Sequence, residues 1–179
     1  MAGIVLTGGP CTGKTTLLGE LEKIGYATVP EAARQLLMQK RPRQRKILFR
    51  NAIEMGRKIH EIQLDQHKAV TDNHVMDRSP VDPIAYAQAY GKKPTRQMLR
   101  TAKEFKADIV FLLEPLKKYQ KDSARTEERK EALLLNQHLR NAYAKLGHNI
   151  IEVPDMGSAE KRAEFVRKKI EEFRRTKVA

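Results

Sequence analysis

Gly8-Gly9-Pro10-Cys11-Thr12-Gly13-Lys14-Thr15, set directly behind the apolar run Ile4-Val5-Leu6, matches in full the pattern Gly-x-x-x-x-Gly-Lys-Ser/Thr. In such a loop the glycines let successive backbone N–H groups converge on one point. The lysine reaches the β- and γ-phosphates of a nucleotide, and the final hydroxyl is placed to ligate Mg²⁺. The loop needs a strand before it and a helix after it. Residues 3–7 form a short apolar run, and Leu17, Leu18, Leu21 and Ile24 recur at helical spacing. The expected ligand is ATP or another nucleoside triphosphate with Mg²⁺. Gly8, Gly9, Pro10, Cys11, Thr12, Gly13, Lys14, Thr15 and Thr16 are expected to hold its phosphates, with Lys14 also catalytic and Thr15 a metal ligand.

Outward from the loop, strand and helix patterns alternate, which predicts a three-layer α/β fold with a parallel sheet covered on both faces. Strands are predicted at 3–7, 26–30, 74–77, 108–113 and 149–153. A long helical stretch over 43–70 carries Leu48, Ala52, Met55, Ile59 and Ile62 every three or four residues, a core stripe. His60 and His67 lie near it without metal-ligand spacing. Ser79-Pro80-Val81-Asp82 reads as a helix start, with Ser79 as N-cap, Pro80 at the first position and Asp82 closing a capping-box-like exchange. Further helices are predicted over 95–105, 127–146 and 159–177. The polar segment 114–129 carries Lys117, Lys118, Lys121, Arg125 and Arg129 with little apolar content and is expected to be a mobile cover.

At 179 residues the chain fits one domain. No stretch approaches the roughly 20 apolar residues that span a bilayer, and the first strand begins too early to leave room for a signal peptide, so a cytoplasmic protein is expected. The single cysteine, Cys11, agrees with a reducing compartment; it reads either as a small loop residue or as a redox-sensitive thiol beside Lys14. There are 35 lysines and arginines against 22 aspartates and glutamates, a formal net charge of +13, which favours an anionic partner. Lys40, Arg41, Arg43, Arg45, Lys46, Arg50, Arg57 and Lys58 concentrate it in the 40–58 segment, where Glu54 is the one acid. That run reads either as a binding surface for the acceptor or for nucleic acid, or as a solvated face. Only Phe49 interrupts it, so base stacking is poorly supported. The basic helix over 159–177 has acids interleaved and reads as a solvated face.

Ligands of parallel α/β sheets bind past the C-terminal ends of the strands. The polar residues there are the phosphate loop, Glu31 and Arg34, Asp77 and Arg78, Glu114, and Asp155. Asp77 ends an apolar strand and can hold Mg²⁺ directly or through water. Phosphoryl transfer needs charge neutralisation and alignment, so Arg125, with Arg129 as second choice, can close over the γ-phosphate and exclude water. Glu31 reads either as the group that accepts a proton from an acceptor hydroxyl or as an acid favoured at a helix N-terminus, with Arg34 and Arg78 binding substrate.

Together with the phosphate loop, three segments carry a family resemblance: Val29-Pro30-Glu31-Ala32-Ala33-Arg34, Met76-Asp77-Arg78-Ser79, and Asp108-Ile109-Val110-Phe111-Leu112-Leu113-Glu114-Pro115. The chain resembles, over nearly its whole length, a family of small P-loop ATPases and kinases related to the ribosylnicotinamide-kinase domain of bacterial NAD-regulator proteins. It is more distantly similar to thymidylate and deoxynucleoside kinases. The resemblance implies a five-stranded parallel sheet in the order 2-3-1-4-5, ATP with Mg²⁺, Asp77 near the metal, Arg78 near the transferred phosphate and a helical lid carrying Arg125. Deoxynucleoside kinases use a Glu after the second strand as base, which bears on Glu31. Relatives often have Asp-Gly-x-Arg in the lid, where this chain has Asp122-Ser123-Ala124-Arg125.

The expected function is therefore a kinase of a small nucleoside- or nucleotide-like acceptor, bound by an insertion at about 40–72 and covered by a lid at about 114–129. The alternatives are an acceptor that is RNA or another polyanion held by residues 40–58, and a nucleotide-dependent NTPase switch acting on a partner.

Overall fold

The five apolar runs become five parallel strands, β1 (Gly3–Thr7), β2 (Ala27–Val29), β3 (His74–Asp77), β4 (Ala107–Leu113) and β5 (Ile150–Val153), in the order β2-β3-β1-β4-β5. The computed structural model describes residues 3–10, 12–41, 43–44, 58–59, 61–63, 65–66, 71, 73–117 and 123–178, with 123–129 and 178 described by backbone alone.

Side chains of a strand point alternately to opposite faces. From β1, Ile4 and Leu6 enter one core with Val75, Ile109, Phe111 and Leu113, covered by α1 (Lys14–Lys23) and the C-terminal helix α6 (Ala159–Val178). Val5 enters the other with Met76, Val110 and Leu112, covered by α3 (Asp82–Ala89), α4 (Arg96–Glu104) and α5 (Ser123–Lys145). β1 and most of β4 are buried on both faces, and such strands read as continuous apolar runs. The short α2 (Ala32–Met38) follows β2 and buries Ala32 and Leu36. Each fully buried Leu, Ile or Phe is worth roughly 1.5–3 kcal/mol over exposure.

The parallel register sets Leu6 opposite both Asp77 and Phe111. Thr7, Arg78 and Glu114 therefore leave the sheet at the same edge, around the phosphate loop.

The starts of α3 and α5 differ from the sequence expectation. Helix α3 begins at Asp82, not Pro80. The Ser79–Asp82 exchange forms, with Ser79 Oγ accepting from the Val81 N–H (3.0 Å) and Asp82 Oδ2 accepting from the Ser79 N–H (3.0 Å), but it closes a turn ahead of the helix. Thr95 caps α4 by accepting from the Met98 N–H (3.2 Å). Helix α5 starts at Ser123, four residues before the expected 127, so the C-terminal part of the 114–129 cover is the first turns of a long helix. It ends before Gly147, whose φ of 76° suits glycine. Of the 43–70 stretch, residues 43–44, 58–59, 61–63 and 65–66 are helical; Leu48, Ala52, Met55, His60 and His67 lie outside the described residues. Gln66 ties this stretch to α2, donating to Pro30 O (2.8 Å) and Gln35 Oε1 (2.9 Å). Among the described residues no helix is long and apolar enough to cross a membrane.

Candidate active site

The phosphate loop is held from three directions. Within it, Thr12 Oγ1 donates to Gly9 O (3.0 Å), and Lys14 Nζ donates to Gly8 O (3.0 Å) and Gly9 O (3.4 Å). From α5, Asn136 Oδ1 accepts the Gly9 N–H (2.7 Å) while its Nδ2 donates to Leu113 O (2.7 Å), joining the loop to the end of β4. A Cβ at position 9 would stand 3.1 Å from Ala132 O and 3.2 Å from Asn136 Oδ1, so α5 can approach this closely only over a glycine. From α6, Arg162 donates to Thr12 O (2.6 Å), Pro154 O (2.7 Å) and Glu114 O (2.8 Å), and at longer range to Val153 O (3.3 Å). Arg162, 2 % exposed as a residue, thus staples the loop to the ends of β4 and β5. Gly13, at φ 78°, turns the chain into α1, where Thr15 and Thr16 are exposed on the first turn. Cys11 lies outside the described residues.

Sequence reasoning passed over Asn136 and Arg162. Each had a signal: Asn136 is the polar member of the stripe Ala132, Leu135, Leu139, Tyr143, and Arg162 sits four residues before Val166 and eight before Ile170, on the buried side of α6. The other charges of α6 follow the solvated-face reading, with Arg167 pairing to Glu164 (2.8 Å) and also to Glu171, and Lys169 to Glu172 (2.7 Å).

Beside the loop, β3 delivers Asp77 and Arg78. Asp77 Oδ1 is buried with no hydrogen-bond partner, and burial pushes the carboxyl above its usual range against the pull of the Lys14 and Arg78 charges, with Glu31 and Asp82 adding to the rise. Burial and then the Arg78 charge lower Lys14 to about 8, against the opposing pull of Asp77, Asp82 and Glu31. Among the described residues no three His, Cys, Asp or Glu side chains cluster to hold a metal by themselves. Mg²⁺, a hard cation that accepts one or two protein oxygens plus phosphate and water, fits an unpartnered buried carboxylate oxygen and an exposed threonine hydroxyl.

Arg78 has φ 71°, a left-handed conformation that costs a non-glycine residue roughly 1–2 kcal/mol. Its N–H donates to Leu6 O (3.0 Å). Its Nε stands 3.0 Å from Glu31 Oε1, an ion pair by distance whose N–H is not aimed at the oxygen, so no hydrogen bond forms. Nη1 lies 3.4 Å from Asp82 Oδ1, and the guanidinium sits 5.0 Å from the centre of the Tyr86 ring. Burial opposes the charge of Arg78, but Asp82, Tyr86, Glu31 and Asp77 outweigh it and hold its pKa above the ordinary arginine value.

Glu31, Ala32, Ala33, Ile59, Gln63, Arg78, Ser79, Asp82, Pro83 and Tyr86 line a cavity of about 390 Å³. The structure thus brings Glu31 and Arg78 together and adds Gln63 and Tyr86, which the sequence did not single out. Arg34 is exposed and lines no part of this cavity. A second cavity, about 220 Å³, lies against the loop on the other side and is lined by Gly13, Thr16, Leu17, Leu116, Asp155, Gly157, Ser158, Ala159 and Arg162. Asp155 accepts the Lys117 N–H (2.7 Å) and the Gly157 N–H (3.0 Å), which hold its carboxyl below the usual range. The side chains of Arg125 and Arg129 lie outside the described residues, as do Arg45, Lys46, Arg50 and Arg57 of the basic segment.

Solved structures share this architecture. The YorR protein from Bacillus subtilis, in complex with phosphorylated GDP, is 19% identical, with 95% of this chain and 96% of that one covered and a TM-score of 0.58. Deoxyadenosine kinase from M. mycoides, with the products dCMP and a flexible dCDP bound, is 16% identical, with 95% and 99% covered and a TM-score of 0.61. Thymidylate kinase from Ehrlichia chaffeensis is 15% identical, with 95% and 98% covered and a TM-score of 0.58. At these identities the likeness is one of fold. No curated protein matches the chain in sequence. The model of a family described as AAA domain matches residues 3–162, from the first residue of β1 through Arg162, and with its phosphate loop between β1 and α1 the chain belongs to that AAA domain family.

Proposed function

We propose that this chain is an ATP- and Mg²⁺-dependent kinase that transfers the γ-phosphate to a small nucleoside- or nucleotide-like acceptor. The observation that carries the reading is the 390 Å³ cavity in which a carboxylate, Glu31, and a cation, Arg78, face the acceptor space while both act electrostatically on Lys14 of the phosphate loop. A hydrolase or switch needs no second cavity of nucleoside size beside its phosphates. The structural neighbours described as deoxyadenosine kinase and thymidylate kinase support the same class.

In this reading the loop N–H groups and Lys14 take the β- and γ-phosphates, and the nucleoside end lies in the 220 Å³ cavity beside Gly13 and Thr16. Thr15 and Asp77 would hold Mg²⁺, which supplies charge neutralisation to the phosphates. Glu31 accepts the proton of the acceptor hydroxyl, and Arg78 offers its charge to the phosphoryl group in transit. Gln63, buried with an amide that both donates and accepts, orients the acceptor. Arg125 closes from the start of α5. One domain carries the whole reaction, and the basic 40–58 segment raises the local concentration of anionic ligands.

The test is transfer of γ-labelled phosphate from ATP with Mg²⁺ to a panel of nucleosides, nucleoside monophosphates, nicotinamide riboside and dephosphorylated RNA, with Lys14→Ala as control. A labelled small-molecule product that vanishes in the control is expected. Labelled RNA would move the acceptor to a polyanion, and inorganic phosphate alone would replace the kinase by an NTPase switch.

A further inference from the structure

Asp82 is 2 % exposed, yet both its carboxylate oxygens are filled by donors of four residues from three parts of the chain. Oδ1 accepts from Thr7 Oγ1 (2.6 Å), at the end of β1 just ahead of the phosphate loop, and faces Arg78 Nη1 (3.4 Å). Oδ2 accepts from the Ser79 N–H (3.0 Å) and from the Tyr143 hydroxyl on α5 (2.6 Å), and Ser79 Oγ lies 2.6 Å from that same hydroxyl. The residue held between these contacts is Arg78, in a backbone conformation that a non-glycine residue adopts only when its surroundings impose it. We infer that Asp82 is a positioning residue: it fixes Arg78 against the strand that carries the phosphate loop, so that acceptor cavity and loop keep one relative placement.

The chemistry of the partners gives this a sharp test. The hydroxyls of Thr7 and Tyr143 can rotate to accept as well as donate, whereas the N–H groups of Arg78 and Ser79 can only donate. In Asp82→Asn the side-chain NH₂ must face one side or the other, and either orientation leaves one N–H without an acceptor. The charge opposite Arg78 is lost in both. A residue that merely filled the core would be replaced here by its near-isostere with little effect on Arg78.

The functional part of the inference rests on the kinase reading above; the structural part does not, and the experiment separates them. In protein labelled with ¹⁵N-arginine, the Nε–H signals of buried Arg78 and of Arg162, which donates to Pro154 O, are followed in wild type and Asp82→Asn. The expected result is that Arg78 moves toward the exposed-arginine envelope while Arg162 stays, which shows that the fold is intact. With the acceptor found in the transfer assay, kcat is expected to fall roughly tenfold to a hundredfold with the KM for ATP unchanged within about twofold. Asp82→Asn is expected to add less than about twofold to the loss in Arg78→Ala, since the two act as a unit. An unmoved Arg78 signal, or losses that multiply in the double variant, would overturn the inference. If both signals collapse because Asp82→Asn does not fold, Thr7→Val decides: it removes one hydroxyl donor of a residue that does not itself line the acceptor cavity and should move Arg78 in the same direction, and no movement refutes the link. A wild type that phosphorylates no acceptor sinks the kinase reading, while the arginine signals still decide the role of Asp82.

Discussion

Replacing Arg162 by methionine is expected to destabilise the free protein by about 3 kcal/mol and to loosen the phosphate loop. Methionine keeps most of the buried stem but removes the guanidinium, leaving Thr12 O, Pro154 O and Glu114 O without the donors that now lie 2.6, 2.7 and 2.8 Å away. Val153 O loses only a 3.3 Å contact and keeps the Glu114 N–H at 3.0 Å. A buried carbonyl left unpaired costs roughly 1–3 kcal/mol; the bond to Thr12 O is buried and those to Pro154 O and Glu114 O are part-buried and cost less each, so the three together give about 3 kcal/mol. The unfolding entropy of a chain of 179 residues is roughly 0.4 kcal/mol/K, which converts the loss to a Tm lower by about 8 °C. The assay is thermal unfolding by circular dichroism without nucleotide, with urea unfolding to verify that the m-value is unchanged. Arg162→Lys should fall in between, because one ammonium cannot reach carbonyls fanned around a planar fork. Since Thr12 is part of the loop, nucleotide affinity in Arg162→Met is expected to weaken about tenfold, or about 1.4 kcal/mol. A Tm within about 2 °C of wild type together with unchanged nucleotide affinity would refute the staple.

Lys14→Met should abolish nucleotide binding yet raise the Tm of the free protein below pH 8. Burial first, and Arg78 second, lower this lysine from 10.5 to about 8, so the unfolded chain binds more protons between those values and wild-type stability rises with pH across that window. At neutral pH the cost is fully present, about 1–2 kcal/mol after allowing for solvent screening; a pH series of Tm in which the two proteins run parallel would exclude it. Asp77→Asn should shift the divalent-cation midpoint of nucleotide binding up by about tenfold and leave metal-free binding intact, measured by calorimetry at varied Mg²⁺. Because burial raises the Asp77 carboxyl, wild-type stability falls as pH rises through its folded pKa, and the variant should lose that fall. Gly9→Ala, whose Cβ meets Ala132 O at 3.1 Å, should cost about 1–2 kcal/mol in urea unfolding, and a neutral outcome would show that α5 is free to retreat.

Much of this fold is legible in the sequence itself. The apolar runs of β1 and β4 encode burial on both sheet faces, the 3.6 spacing after Lys14 encodes α1, and the loop residues between them encode a phosphate site, because each signal depends on neighbours within a few positions. That local code also put Asp77 at the end of its strand and Arg78 and Glu31 just past theirs, where a parallel sheet collects its functional groups. Only the tertiary structure decided which polar groups on the buried faces would meet. Asn136 reaches Gly9 across 127 residues of chain and Arg162 reaches Thr12 across 150, and no periodicity carries a partner over such separations. The same holds for Asp82, whose sequence context announces a helix start and whose carboxylate, besides taking the Ser79 N–H, collects Thr7 from β1 and Tyr143 from α5. A buried polar group must find its partner wherever the packed chain brings one, so the sequence carries the phosphate loop and the polar residues at the strand ends, while their supports were settled by the fold.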